Sequence, residues 1–277
     1  MKRVVGSMLR FFPYCMLFVL FCLALGQVQA ATLKEAREFY AIGEYAKAIE
    51  SCEKAISEKE YDTDWRLLLL RARLSIGRYP EAARFATELL ENYRYRLNAE
   101  ALWLFHLAYE SNGDSEKATQ MLQAILQFLN GRRTMSDENT IVFLGRAALK
   151  SNGYDPKQVK ENLYDRVLKS DPENREALLA VGELALAKRD FKLAGETFTR
   201  AVGYYPEDAD LLHGLAKAYA ESDPSQMEEP LHTAMFINPD HVPSLLLQAH
   251  NQADAEQYDV ANGILKAIFK VNPHHAE

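Results

Sequence analysis

REALLAVGELALAKRDFKLAGETFTRAVGYYPED, residues 175–208, holds two apolar stripes at helical spacing. Leu178, Val181, Gly182 and Ala185 share one stripe at helical spacing, and Ala194, Phe198 and Ala201 share a second, which Pro206 ends. Two amphipathic helices, small residues where they cross and a closing proline make one unit. The unit recurs about every 34 residues from Leu33 onward. Near the other end it reads Leu245 and Ala249, then Tyr258, Ala261, Leu265, Ile268 and Pro273. Gly43, Gly77 and Gly113 mark the turns of the first three copies at spacings of 34 and 36.

Working outward, the copies fall at approximately 31–62, 63–96, 99–130, 137–174, 175–208, 209–241 and 242–275. In the second, Pro80 sits where the second helix begins, a position that lacks an amide acceptor in any case. The fourth is irregular: Ser136 or Asp137 caps its first helix, over about Asn139 to Lys150, and its second helix runs about two residues longer before Asp171-Pro172. In the sixth, Pro230 falls inside the expected second helix, so that helix either kinks or starts late, near Pro230.

These positions resemble the tetratricopeptide repeat closely, over nearly all of residues 31–277. The resemblance implies an all-α, right-handed superhelical α-solenoid of about seven helix-turn-helix repeats. It also implies a concave groove, lined by the first helix of each repeat, that binds a peptide or protein segment. Carried over by position, the inward row is Leu33, Leu67, Trp103, Phe143, Leu179, His213 and Leu246. One turn on lie Arg37, Arg71, Leu107, Ala147, Glu183, Lys217 and His250. Arg37, Arg71, Trp103, Leu107, Phe143, Leu179 and His213 are the groove candidates, with the two arginines suited to hold carboxylates. The family's device for chaperone C-termini puts lysine and asparagine at set groove positions. Leu33, Lys34, Arg37, Leu67 and Arg71 do not match it.

Residues 1–30 read as a secretory signal peptide: basic at Lys2, Arg3 and Arg10, apolar from Phe11 to Leu25, and ending in Val28-Gln29-Ala30. Cleavage after Ala30 removes three of 32 basic residues and none of 39 acidic ones, leaving 29 against 39, a net charge of −10. That balance argues against nucleic acid and anionic membranes as partners, and no stable membrane insertion is expected after cleavage. Cys15 and Cys22 leave with the signal. Cys52 stays alone on the face of Ala48 and Ala55, as a buried small hydrophobe rather than part of a disulfide framework.

No His-Glu-x-x-His, Gly-x-Ser-x-Gly or phosphate-loop pattern occurs, and one cysteine excludes a cysteine-based zinc site. His274-His275, Glu228-Glu229 and Glu58-Lys59-Glu60 read as solvated charge, and His241 and His250 lack a nearby carboxylate pattern. The expectation is a non-catalytic, cofactor-free scaffold outside the cytoplasm: periplasmic, in the cell envelope or secreted. The alternative is the N-terminal recognition region of a longer exported metallopeptidase-like enzyme whose catalytic domain lies beyond Glu277. Leu265, Ile268 and Phe269 lack a capping helix, so further chain or a second copy is expected to cover them.

Overall fold

A computed structural model describes residues 31–130 and 137–275. The proposed signal peptide, with Cys15 and Cys22, lies outside the described residues, as does Ser136.

The helices are α1 (Leu33–Ala41), α2 (Tyr45–Ser57), α3 (Thr63–Ser75), α4 (Tyr79–Leu90), a single turn α5 (Tyr93–Arg96), α6 (Ala99–Ser111), α7 (Ser115–Asn130) and α8 (Glu138–Lys150). Next come α9 (Pro156–Val159) and α10 (Asp165–Ser170), joined through a π turn at Lys160–Tyr164. The array continues with α11 (Arg175–Ala187), α12 (Phe191–Tyr204), α13 (Ala209–Ser222), a 3₁₀ turn Pro224–Gln226, α14 (Glu228–Ile237), α15 (Val242–Asp254) and α16 (Tyr258–Val271). No strand occurs among the described residues.

Local chemistry explains these boundaries. Thr32 and Glu35 form a reciprocal capping box at the start of α1. Asp62, Asn98, Asp137, Asn174 and Asp208 each accept a backbone N–H at the start of α3, α6, α8, α11 and α13. Asp137 is thus the cap of α8. Between the paired helices of every repeat but the sixth stands one left-handed residue: Gly43, Gly77, Gly113, Asn152, Arg189 or Glu256. The extra length of the fourth repeat is taken up by the π turn, which places one residue more per turn. Pro230 lies in the first turn of α14, where its missing N–H costs no hydrogen bond, so the late start is the one adopted.

Packing follows the small-against-large rule. Phe198 is fully buried between the Cα atoms of Gly182 on α11 and Gly214 on α13, and Tyr164 packs on Gly145 in the same way. Ala194 and Ala201 are fully buried at the adjoining crossings, and Cys52 is fully buried beside Ala48 and Ala55. Ile268 is covered from within the chain by Val242 and Leu246, which corrects the expectation that further chain or a second copy has to cover it, and Leu265 is partly buried against the same cluster. Phe269 stays half-exposed.

The solenoid curves until its arms touch. Asn238, just past α14, donates to the Tyr45 hydroxyl at 3.1 Å. Asn272, just past α16, donates to the Tyr79 hydroxyl at 2.8 Å. The sixth and seventh repeats therefore seat on the turns of the first and second.

Candidate functional site

Where the arms meet, the inner wall borders a half-open cavity of about 860 Å³. One side comes from the first three repeats: Arg37, Tyr40, Tyr45, Asp64, Leu67, Leu68, Arg71 and Glu100. The other comes from Arg175, Glu176, the link from Tyr204 to Asp210, Asn238 and His241. The N-cap Asp208 accepts from the Asp210 and Leu211 backbone N–H groups of α13, while His241, at the start of α15, is held by the Ser244 hydroxyl.

Charges on this wall pair between neighbouring repeats. Arg37 Nη2 bonds Asp64, and Arg71 Nη2 reaches Glu100 Oε1 at 2.8 Å. Arg146, just outside the cavity lining, bridges Glu183 at 2.7 Å and Glu176 at 3.7 Å. Arg175 is the centre of the network: its Nε reaches Asp208 at 2.7 Å, one Nη reaches Asp210 at 2.7 Å, and the other reaches Glu176 at 2.7 Å. Each of these arginines already has a carboxylate partner, and Arg37 stays half-exposed beside its own. The residues needed to satisfy them come one repeat later.

The lining holds three arginines (37, 71 and 175) and six carboxylates (64, 100, 176, 207, 208 and 210). The balance is negative, and Asp64, Asp210 and Glu207 keep exposed surface. Desolvation by the surrounding cavity walls would raise the half-exposed Asp210 carboxyl. The His241 hydrogen bond and the Arg175 charge overcome that and hold it well below the usual carboxylate range. On Glu183, burial and the nearby Asp210 and Glu176 charges outweigh Arg146 and push the carboxyl up.

His241 Nε2 lies 3.1 Å from Asp210 Oδ1, and its Nδ1 lies 2.7 Å from Ser244 Oγ. The order of groups is that of a nucleophilic triad. Ser244 is fully buried in the first turn of α15, so no substrate reaches its hydroxyl and the bond pins the helix start. The His213 ring stands 5.8 Å from that of His241. Burial, with the His241 and Lys217 charges, holds its pKa down to about 3. Sequence spacing could not reveal the carboxylate beside His241, because Asp210 lies 31 residues away.

Of the groove candidates, Arg37 and Arg71 line the cavity. Phe143 does not reach it: only 2% exposed, it is buried in the central core, because α8 packs that side on its neighbours, and its assignment as a groove residue is corrected. Trp103 and Leu107 are partly buried against the same core, and Leu179 against the core around Phe198. Trp103 stacks at a tilt on His106, with centroids 5.3 Å apart. His213 lies beside the network rather than on the lining. Among the described residues no group of three metal-ligating side chains is placed to hold an ion, and no helix is long and apolar enough to cross a membrane.

A tetratricopeptide-repeat family profile matches residues 33–96 and 161–209. No curated protein matches the chain. Among solved structures it is similar to a tetratricopeptide repeat protein from Parabacteroides merdae ATCC 43184, 16% identical, covering 86% of this chain and 91% of that one with a TM-score of 0.52. It is also similar to MamA from Desulfovibrio magneticus RS-1, 18% identical over 62% of this chain and 94% of that one, TM-score 0.42. A third is YrrB, a TPR protein with an unusual peptide-binding site, 21% identical over 73% of this chain and 99% of that one, TM-score 0.38. The profile places the tetratricopeptide repeat in the two segments it matches, and the recurring helix pair with its left-handed turns carries the α-solenoid fold, shared with the Parabacteroides protein, along the described residues.

Proposed function

We propose that this protein is a non-catalytic interaction scaffold working outside the cytoplasm, and that it holds a protein segment bearing lysine or arginine in the cavity between its arms. The observation that carries the reading is the lining itself, with six carboxylates against three arginines, each arginine already paired. A cationic side chain entering there meets half-exposed Asp64 and Asp210 without displacing an existing pair's cation. Tyr40, Tyr204 and Tyr205 supply flat apolar surface for the rest of the segment. The export reading rests on the basic start, apolar run and cleavage signal of residues 1–30.

Selection from a random peptide library displayed on phage tests the binding reading. Peptides retained by the wild-type chain should be enriched in lysine and arginine, and a Glu207→Gln, Asp64→Asn variant should lose them. No enrichment, or enrichment that the variant retains in full, overturns the assignment. N-terminal sequencing of the exported protein should begin at Ala31; a start at Met1 would reject cleavage.

A further inference from the structure

The contacts between the arms repeat with a fixed offset. Asn238 meets Tyr45 and Asn272 meets Tyr79, each pair 193 residues apart, one repeat's advance on one arm matching one repeat's advance on the other. Each asparagine uses both ends of its amide. Oδ1 accepts from the backbone N–H two residues on, at Asp240 and His274, and Nδ2 donates to the tyrosine hydroxyl. The His274 ring then lies 6.3 Å from the Tyr79 ring. A polar end of one repeat is thereby fitted twice to a turn of another.

The turns receiving these asparagines are the ones that leave no room for a side chain. Among the described residues seven turns carry a left-handed residue, and four of these have side chains: Lys59, Asn152, Arg189 and Glu256. Positive φ alone therefore does not demand glycine in this protein. At Gly43 and Gly77 a Cβ would run into the Oδ1 of Asn238 and of Asn272 respectively. At Gly113, which has the same backbone sign with φ +82°, a Cβ would meet nothing within 4 Å. The contact accounts for two of the three glycines by a requirement that the third does not share.

This seam is also a wall. Tyr45 and Asn238 line the 860 Å³ cavity on one side. On the other side Gly43, Tyr45, Gly77, Asp240, Val271 and His274 border a second cavity of about 990 Å³. We infer that the two asparagine–tyrosine rungs form a clasp that holds the superhelix closed, and that its release opens the arms and joins the two cavities. Because each repeat packs chiefly on its neighbours, the arms can part while every helix pair stays folded. The clasp is thus a conformational gate on the inner wall, separable from the identity of whatever binds there.

The test compares three variants with the wild-type chain by small-angle X-ray scattering, with circular dichroism to verify helix content. Gly43→Ala with Gly77→Ala wedges both rungs. Gly113→Ala imposes the same backbone strain where nothing docks. Tyr45→Phe with Tyr79→Phe removes both hydroxyls with no backbone change. The wedged pair should show a larger radius of gyration than wild type at unchanged helicity, Gly113→Ala should match wild type, and the tyrosine pair should shift in the wedged direction. A wedged pair with the dimensions of Gly113→Ala, or a wild-type chain already as extended as the wedged pair, overturns the clasp. Neither result bears on the charge preference tested by the peptide selection.

Discussion

Replacing Gly182 by alanine should destabilise this protein, although alanine is the better helix former. Inside α11 the exchange favours the helix by about 1 kcal/mol. Against that, the new Cβ would overlap three ring carbons of Phe198. The ring has nowhere to retreat: it is fully buried, and a Cβ at Gly214 on the opposite side would overlap the same ring. Overpacking of this kind costs about 1–3 kcal/mol, and a ring pinned on both sides puts the cost at the upper end. The net is a loss of about 2 kcal/mol, equivalent to a thermal midpoint lower by about 4–8 °C for a domain of this size. Gly195 supplies the contrast. It is buried in α12, but its Cβ would come no closer than 3.8 Å to Tyr219, an ordinary contact. Gly195→Ala should therefore raise the midpoint by about 2–4 °C. Circular dichroism melts of both variants, and of Gly182→Ala combined with Phe198→Leu, make the assay. The smaller side chain should remove much of the penalty, as expected for residues in contact. If Gly182→Ala raises the midpoint as Gly195→Ala does, or costs the same with and without the Phe198 ring, the packing argument is wrong.

Three further outcomes follow from burial and charge. Cys52 is fully buried, and burial with the neighbouring Glu53 charge, opposed by Arg73, pushes its thiol up to about 12. A thiol reagent should leave the native chain unmodified and label Cys52 once denaturant is added; rapid native labelling would contradict this. His213 is held near 3 when folded and titrates at about 6.5 when unfolded, so between those values the unfolded chain binds the extra proton. Its contribution to stability is complete above about pH 6.5 and is lost as pH falls toward 3, by at most about 1.4 kcal/mol per pH unit. His213→Gln should flatten that part of the stability profile, and an unchanged slope would remove His213 as its source. The Tyr164 hydroxyl is fully buried without a hydrogen-bond partner. Tyr164→Phe should therefore raise the thermal midpoint, since an unsatisfied buried group costs about 1–3 kcal/mol; a fall would mean that the hydroxyl has a partner.

What the sequence determined by itself was the repeat. Helical stripes, caps and terminal prolines are local, set by contacts three or four residues apart, so residues 175–208 announce two helices and their crossing without reference to the rest of the chain. Cys52 could be placed inside for the same reason, from Ala48 and Ala55 one turn to either side. The inner wall belongs to a different order of information. Arg37 and Arg71 were visible as cations, yet their partners Asp64 and Glu100 stand in the following repeat, and which rotamers meet depends on the rotation between repeats. Phe143 occupied an inward position by analogy and was buried by the way α8 packs. The largest gap was the meeting of Tyr45 with Asn238 and of Tyr79 with Asn272. Small rotations at every repeat junction accumulate along a solenoid, and only their sum decides whether the sixth repeat reaches the first. No residue pattern records that sum, so the repeat is written in the chain, while the cavity, its charge balance and the seam that closes it belong to the tertiary structure.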